Sequence, residues 1–332
     1  MQEAKKIVIN IVASDALAYL PNFFASLESQ DANEFSVTIV DNASQDGTVK
    51  WIQDQYTDVA VLRNFRDQGF ARAANQAIEL ALSRWPDEDW GSHFILMVDP
   101  AIELGVDCLF NLTHVLLQDP ELSAACPKIL QTKVKSVAED GRREIERTDI
   151  LFSTGLSIDK FRRAVNRGEG EVDRGQYNAP SEVFGAPIMC GLFRASHLMK
   201  TKIRNEFIDE DFVDFNVDAD LAWRMKRLGL RSMYVPLALA YKQNKPREGR
   251  GKNKTRNRFW MMVKNDEPGN MILHAPWISA SLMIYLITAL VSLNKIRAMA
   301  RAVYGVPGFF AKRKFFVRQI RIKGSAMRRW FV

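Results

Sequence analysis

Apolar and polar positions follow two alternating periods along the first hundred residues. Residues 6–13, KIVINIVA, form a nearly continuous β-branched apolar run that stops at Ser14 and Asp15, which predicts a buried strand. Residues 17–27 carry apolar side chains at helical spacing, and residues 35–40, FSVTIV, read as a second strand. The same rhythm predicts a helix over 48–56, a strand over 59–62, a helix over 71–85 and a strand over 94–98. Strands that alternate with helices imply a parallel sheet with helices on both faces, the Rossmann-like α/β class. Ligands on such sheets bind beyond the carboxyl ends of the strands. That rule singles out Ser14, Asp15, Asp41, Asn42, Asn64 and Asp99.

The middle of the chain is less periodic. Residues 133–147 and 168–180 are polar and predict exposed loops, whereas 150–158 and 183–193 predict strands. Glycines interrupt the second of these, Gly191 among them, and mark a place where backbone can approach a ligand. Residues 218–229 predict a helix with Asp218 as N-cap and Gly229 as its stop, and a strand over 232–236 follows. Residues 245–258 hold seven basic residues, one acid and two glycines, and predict a solvated loop. Beyond it, residues 275–293 contain no charge.

Composition adds three constraints. With 332 residues, 47% hydrophobic and 26% charged, the chain is long enough for one large α/β domain, or a domain plus an appendage. Cys108, Cys126 and Cys190 are distant from one another and odd in number, so neither a disulfide framework nor a zinc site is expected, and a reducing compartment fits. No signal-peptide pattern is seen ahead of the first strand. The net charge of +7 conceals an asymmetry: residues 271–332 contain eleven Lys or Arg and no acid, while the rest carries 35 basic against 39 acidic residues. A basic tail on a mildly acidic body implies an anionic partner.

Three segments carry candidate chemistry: VDNASQDGT (40–48), RNFRDQGFARAANQAI (63–78) and FIDEDFVDFNVDADLAWRMKRLGLRSMYVP (207–236). By residue type alone the first is turn and capping chemistry, and Asp218 a helix cap. Together, in order and at matching spacings over residues 6–260, they resemble the family 2 glycosyltransferases, and within them the rhamnosyltransferase-like group. The resemblance implies a GT-A fold over residues 1–260, followed by a hydrophobic and basic helical region over 261–332. It implies an inverting transfer of a sugar, rhamnose by the same resemblance, from a dTDP- or UDP-sugar to a glycan or lipid-linked acceptor in cell-surface polysaccharide synthesis. By position, Asp41 would bind the pyrimidine, with Ser14, Asp15, Asn42, Asn64, Gly69, Asp99 and Gly191 around the nucleotide sugar. Asp218 would be the catalytic base, with Asp220 able to share or take that role.

The departures from the family pattern concern the metal. The family's diphosphate is usually neutralised by a divalent cation, Mg2+ or Mn2+, held by acids. Here Asp99 is followed by Pro100 and Ala101, Val217 stands where Glu is usual, and Lys242 where a metal-binding His is common. An ammonium repels a cation and attracts phosphate. The expectation is weak or absent metal binding at Asp99, with Lys242, Lys245 and Arg247 around the diphosphate. The alternative is a catalytically impaired nucleotide-sugar-binding scaffold of the same fold. Nineteen uncharged residues just match a bilayer core of about 30 Å, but a single crossing would carry the basic tail away from the catalytic side. A helix lying in the interface at the cytoplasmic face of the plasma membrane fits better. Packing on the domain or in a homodimer is the other reading of that helix. Nucleic acid is not an expected partner, since the basic residues adjoin a long apolar run rather than stacking aromatics on a folded face.

Overall fold

The computed structural model describes residues 5–30, 35–138, 141–243, 253–290 and 293–332. The first half follows the periodicity closely: β1 (Ile7–Ala13), α1 (Leu20–Glu28), β2 (Phe35–Asn42), α2 (Thr48–Gln55), β3 (Ala60–Asn64), α3 (Phe70–Leu82) and β4 (Phe94–Val98). Strands β3, β2, β1 and β4 lie side by side and parallel, with Ile7 opposite both Phe35 and Phe94. All five residues of β4 and six of the seven in β1 are buried, which is why these strands read as apolar runs rather than as alternation.

The chain continues through β5 (Ile102–Leu104), α4 (Cys108–Gln118), β6 (Leu122–Val137), β7 (Arg143–Ser153), β8 (Leu156–Ile158), β9 (Ala164–Asn166), β10 (Ser181–Val183), β11 (Cys190–Arg194), α5 (Ala195–Lys200), α6 (Val217–Arg227) and β12 (Arg231–Gln243). Strand β11 runs antiparallel between β4 and β6, and β12 lies parallel to β6, so the sheet is mixed beyond β4. Residues 133–137 and 143–147 are not loop: they are the outer arms of β6 and β7, and 133–137 are exposed throughout, without an apolar face to announce a strand. The strand expected over 183–193 is two, β10 and β11, which pair with different partners. Strand β12 runs seven residues past Pro236, through a register shift between Val235 and Leu239.

Helices cover both faces. Helices α1 and α4 bury Phe23, Phe24, Leu109 and Leu112 against one face, and α3 and α6 bury Ala74, Ile78, Leu221 and Met225 against the other. The C-terminal helices α7 (Lys254–Asn265), α8 (Pro268–Leu273), α9 (Ala275–Leu290) and α10 (Leu293–Val317) follow. Residues 254–258 are thus the first turn of α7 rather than loop. Phe309, Phe316, Met327 and Phe331 enter the same core as Trp223 and Phe212, with Phe309 stacked on Trp260 at 4.7 Å. The buried Arg162–Asp266 pair, 2.8 Å, ties the β8–β9 turn to the end of α7. Among the described residues no helix is long and apolar enough to cross a membrane; α9 ends at Leu290.

Candidate functional site

A cavity of about 840 Å³ opens beyond the carboxyl ends of β1, β2 and β4, as the topology requires. Ser14, Asn42 and Asp99 line its floor. Asn42 is buried at the tip of β2 and held on every side: its Oδ1 accepts from the Gln68 N–H at 3.0 Å and the Asn64 amide at 3.3 Å, and its Nδ2 donates to Asp67. Asp67, also in the cavity wall, accepts from the Gly69 N–H at 2.8 Å. Asn64 therefore acts through Asn42, braced in turn by Gln76 at 2.9 Å. Gly69 does not line the cavity. Its backbone, φ 78°, leaves no room for a side chain, since a Cβ would stand 2.8 Å from Val213 Cγ1.

Asp41 sits directly beneath the floor, fully buried and opposite Ala13. Its Oδ1 takes the Ser44 N–H at 3.3 Å, whereas its Oδ2 receives no hydrogen bond, with Arg63 Nε 3.6 Å away. Asp15 is not in the wall either. It fastens the β1 tip to the next turn, its carboxylate accepting from Gln45 N–H at 2.7 Å and its N–H donating to Ser44 Oγ at 3.0 Å. Gly191 lies inside β11, paired with Met97, where a Cβ would meet the Pro187 carbonyl at 2.8 Å. Its role is packing, not approach to a ligand.

The opposite wall is residues 214–218 at the start of α6. The N-cap is Asn216, in a left-handed conformation, so Asp218 is not the cap but stands in the first helical turn, its side chain accepting from the Ala219 N–H at 2.8 Å. It is half-buried against the cavity, and burial raises its carboxyl above the usual range, with backbone N–H groups opposing. Asp220, two residues on, points the other way. It is fully buried, with Arg224 Nε at 2.9 Å and Lys264 Nζ at 2.8 Å on one oxygen and Asn265 Nδ2 at 2.7 Å on the other. With both oxygens occupied and no face on the cavity, Asp220 cannot deprotonate a substrate; the assignment of a shared role to it is corrected.

The loop before α6 is anchored by the C-terminal helices. Asp209 accepts from Lys264 of α7 at 2.6 Å and Lys312 of α10 at 2.5 Å, and Lys312 also meets Asp211 at 2.8 Å and Glu206 at 3.2 Å. Burial alone would raise the Asp209 carboxyl; the two ammonium groups hold it well below the ordinary range. Asn257 donates to the Phe212 and Phe215 carbonyls at 2.7 and 2.8 Å.

At the third side, the Asp99 N–H donates to the Met189 carbonyl at 2.8 Å, and Asp99 Oδ1 accepts from the Ala101 N–H at 2.8 Å. Lys242 Nζ stands 3.5 Å from the same oxygen, and both side chains line the cavity. Among the described residues no group of three or more His, Cys, Asp or Glu could hold a metal ion. The donor set at Asp99, one carboxylate facing an ammonium, does not fit a divalent cation. Lys245 and Arg247 lie outside the described residues. Lys254, from the same basic segment, does line the cavity, as do Glu169, Asn166 and Asp214, for which the sequence offered no pattern.

Residues 8–150 match the sequence model of Glycosyl transferase family 2. That stretch contains the floor of the cavity but neither Asp218 nor Lys242. Among solved structures, GalNAc-T7 with UDP, GalNAc and Mn2+ is similar over 80% of this chain and 48% of its own, at 12% identity and a TM-score of 0.59. The chain thus spans about half the length of GalNAc-T7. The mannosyltransferase of Pyrobaculum calidifontis, in complex with GDP-Man and Mn2+, is similar over 99% and 88% of the two chains, at 14% identity and TM-score 0.51. S. aureus TarS residues 1–349 with UDP is similar over 98% and 91%, at 12% identity and TM-score 0.50. No curated protein sequence matches the chain. The architecture shared with these structures is the GT-A fold.

Proposed function

We propose that the protein is an inverting glycosyltransferase that uses a nucleoside diphosphate sugar and takes Asp218 as its base. The observation that carries this reading is the placement of Asp218: a carboxylate on the cavity wall, facing a floor built from the strand tips where the nucleotide of such folds binds. In the reaction the acceptor O–H gives its proton to Asp218, the oxygen forms a bond to the anomeric carbon, and the bond from that carbon to the diphosphate breaks with its electron pair leaving on the nucleotide. A pyrimidine donor rests on the motif resemblance at 40–48, whose Asp41 lies beneath the cavity floor rather than in it. A dTDP- or UDP-sugar is the donor class, and rhamnose the sugar that the motif resemblance favours.

The tail supports a membrane-bound acceptor such as a lipid-linked glycan. Met283, Ile284 and Ile287 of α9 are each about 60% exposed, and Tyr304 of α10 is 91% exposed. Arg301, Lys314, Arg318 and Arg321 of the same C-terminal region are also exposed. Exposed apolar and cationic side chains in one C-terminal region suit an anionic bilayer surface, and the proposal is that the protein works at the cytoplasmic face of a membrane; salt-sensitive flotation with anionic liposomes tests this, and a concentration-dependent dimer without flotation would overturn it.

The enzymatic reading is tested by a screen of nucleotide sugars with the full chain and Asp218→Asn. Transfer with inversion at the anomeric carbon, lowered about 10²- to 10⁴-fold in the variant with nucleotide affinity kept, is expected. Unchanged turnover in the variant would remove Asp218 from the role. Tight donor binding without turnover or donor hydrolysis in the parent chain would favour the scaffold reading, which no feature of the cavity favours now.

A further inference from the structure

We propose that the ammonium of Lys242 takes the place of a divalent cation, so that the donor's diphosphate is bound and its departure stabilised without metal. The inference rests on the donor reading above and concerns the same cavity.

The lysine is built into the site rather than draped over it. Lys242 is opposite Ile102 in the β12–β5 ladder, and the neighbouring Gln243 N–H donates to the Ala101 carbonyl at 2.9 Å. The backbone of the β12 end is thereby locked to the Asp99–Ala101 turn. Thr132 Oγ1 donates to the Lys242 carbonyl at 3.2 Å from the other flank. The side chain is only 8% exposed, and its Nζ sits 3.5 Å from Asp99 Oδ1.

The same turn has lost what a cation needs. Ala101 is fully buried and offers no side-chain oxygen, its carbonyl is taken by the Gln243 N–H, and its N–H donates to Asp99 Oδ1. A divalent ion placed beside Asp99 would have one carboxylate and an ammonium at ion-pair distance, which repels it. An anion placed there meets the opposite field. A diphosphate oxygen can accept hydrogen bonds from the ammonium, which has three N–H groups to offer, while Asp99, 3.5 Å away, helps aim the lysine. Charge that develops on the leaving nucleoside diphosphate as the glycosidic bond breaks is met by a fixed cation, as a preorganised electrostatic group requires.

The test is calorimetric titration of the full chain with UDP and UMP, and with dTDP and dTMP, in EDTA and then with excess Mn2+ or Mg2+. Expected in EDTA is tighter binding of the diphosphate than of the matching monophosphate, with metal changing either affinity by less than about threefold, under 0.7 kcal/mol. Lys242→Met should erase the diphosphate advantage, about ten- to a hundredfold for a charge-assisted contact, and leave the monophosphate unchanged; Lys242→Arg should keep part of it. The metal comparison on the parent chain stands even if the variant does not fold. Diphosphate binding that needs metal, or that Lys242→Met leaves intact, overturns the inference and leaves the donor reading in place. No nucleotide binding under any condition overturns both.

Discussion

Asp99 and Asp218 face one cavity from opposite sides, yet they are held there by different means. Asp99 is placed by its own neighbourhood: a parallel strand, a turn closed by the Ala101 N–H, and a backbone bond to Met189. Asp218 belongs to a wall whose position depends on charges far along the chain. Asp209, nine residues before it, is pinned by Lys264 and Lys312, 55 and 103 residues later. The floor can therefore be expected to survive damage to the C-terminal helices better than the wall.

The sharpest way to break this contrast is Lys264→Met. It leaves Asp209 and Asp220 buried without their shared ammonium and should cost about 3–5 kcal/mol, read as a drop in the denaturant midpoint; a loss near zero would show that the network does not hold the wall. Lys312→Met removes a buried partner of Asp209 but leaves Lys264, and should cost less stability. Its signature should be a fall in kcat with nucleotide affinity kept, since the floor does not touch it. Equal loss of both would deny that the two sides are held separately.

Acid should find the same seam. Because the folded Asp209 carboxyl lies below its unfolded value, its contribution is present above about pH 4 and is lost as pH falls through the folded value. Lys312 runs the other way: burial lowers its affinity for a proton, Asp209 and Asp211 more than compensate, and the contribution is lost only as pH rises past the ordinary lysine range. Stability curves of the parent and Lys312→Met should thus converge at both extremes and differ most between about pH 4 and 10. For activity, the raised carboxyl of Asp218 predicts an acid limb that turns over above the ordinary aspartate value, because the base must be ionised.

On the floor the smallest effect is expected for Asn64→Ala, about 1 kcal/mol through the lost brace on Asn42, seen as weaker nucleotide binding with little change in folding. A collapse of the fold there would mean that the strand tips are less self-sufficient than their hydrogen bonds indicate.

The same contrast explains what could be read in the sequence. Strands β1 to β4 and their helices emerged within a few residues of their bounds, because buried parallel strands are apolar throughout and amphipathic helices keep a period. Of the residues that the rule about strand ends singled out, Ser14, Asn42 and Asp99 line the cavity, whereas Asp15, Asp41 and Asn64 do not. The β6–β7 hairpin did not emerge: residues 133–137 of β6 are exposed on both faces, so no alternation marks that arm. Nor did the different fates of Asp218 and Asp220. Both are aspartates in one helical turn, and only the arrival of Lys264 and Asn265 from α7 separates a group that lines the cavity from one sealed in ion pairs. Gly191 misled because a glycine required by a neighbouring carbonyl looks, in sequence, like one required by a ligand.

The two sides also touch each other at Val213. Val213 has φ 63° and ψ −72°, a costly backbone for a β-branched residue, and it is pressed against Gly69 while its carbonyl accepts the Ala71 N–H at 2.9 Å. Gly69 itself, at φ 78° and ψ 155°, occupies a region nearly reserved for glycine, so Gly69→Ala should strain both loops by about 1–3 kcal/mol. Asp67 and Gly69 thus share a loop that the base-bearing turn leans on. Occupancy of the nucleotide half should set the geometry that an incoming acceptor meets, and the expected kinetic signature is a compulsory order of binding: sugar donor on first, spent nucleotide off last, with product inhibition by the nucleotide competitive against the donor alone.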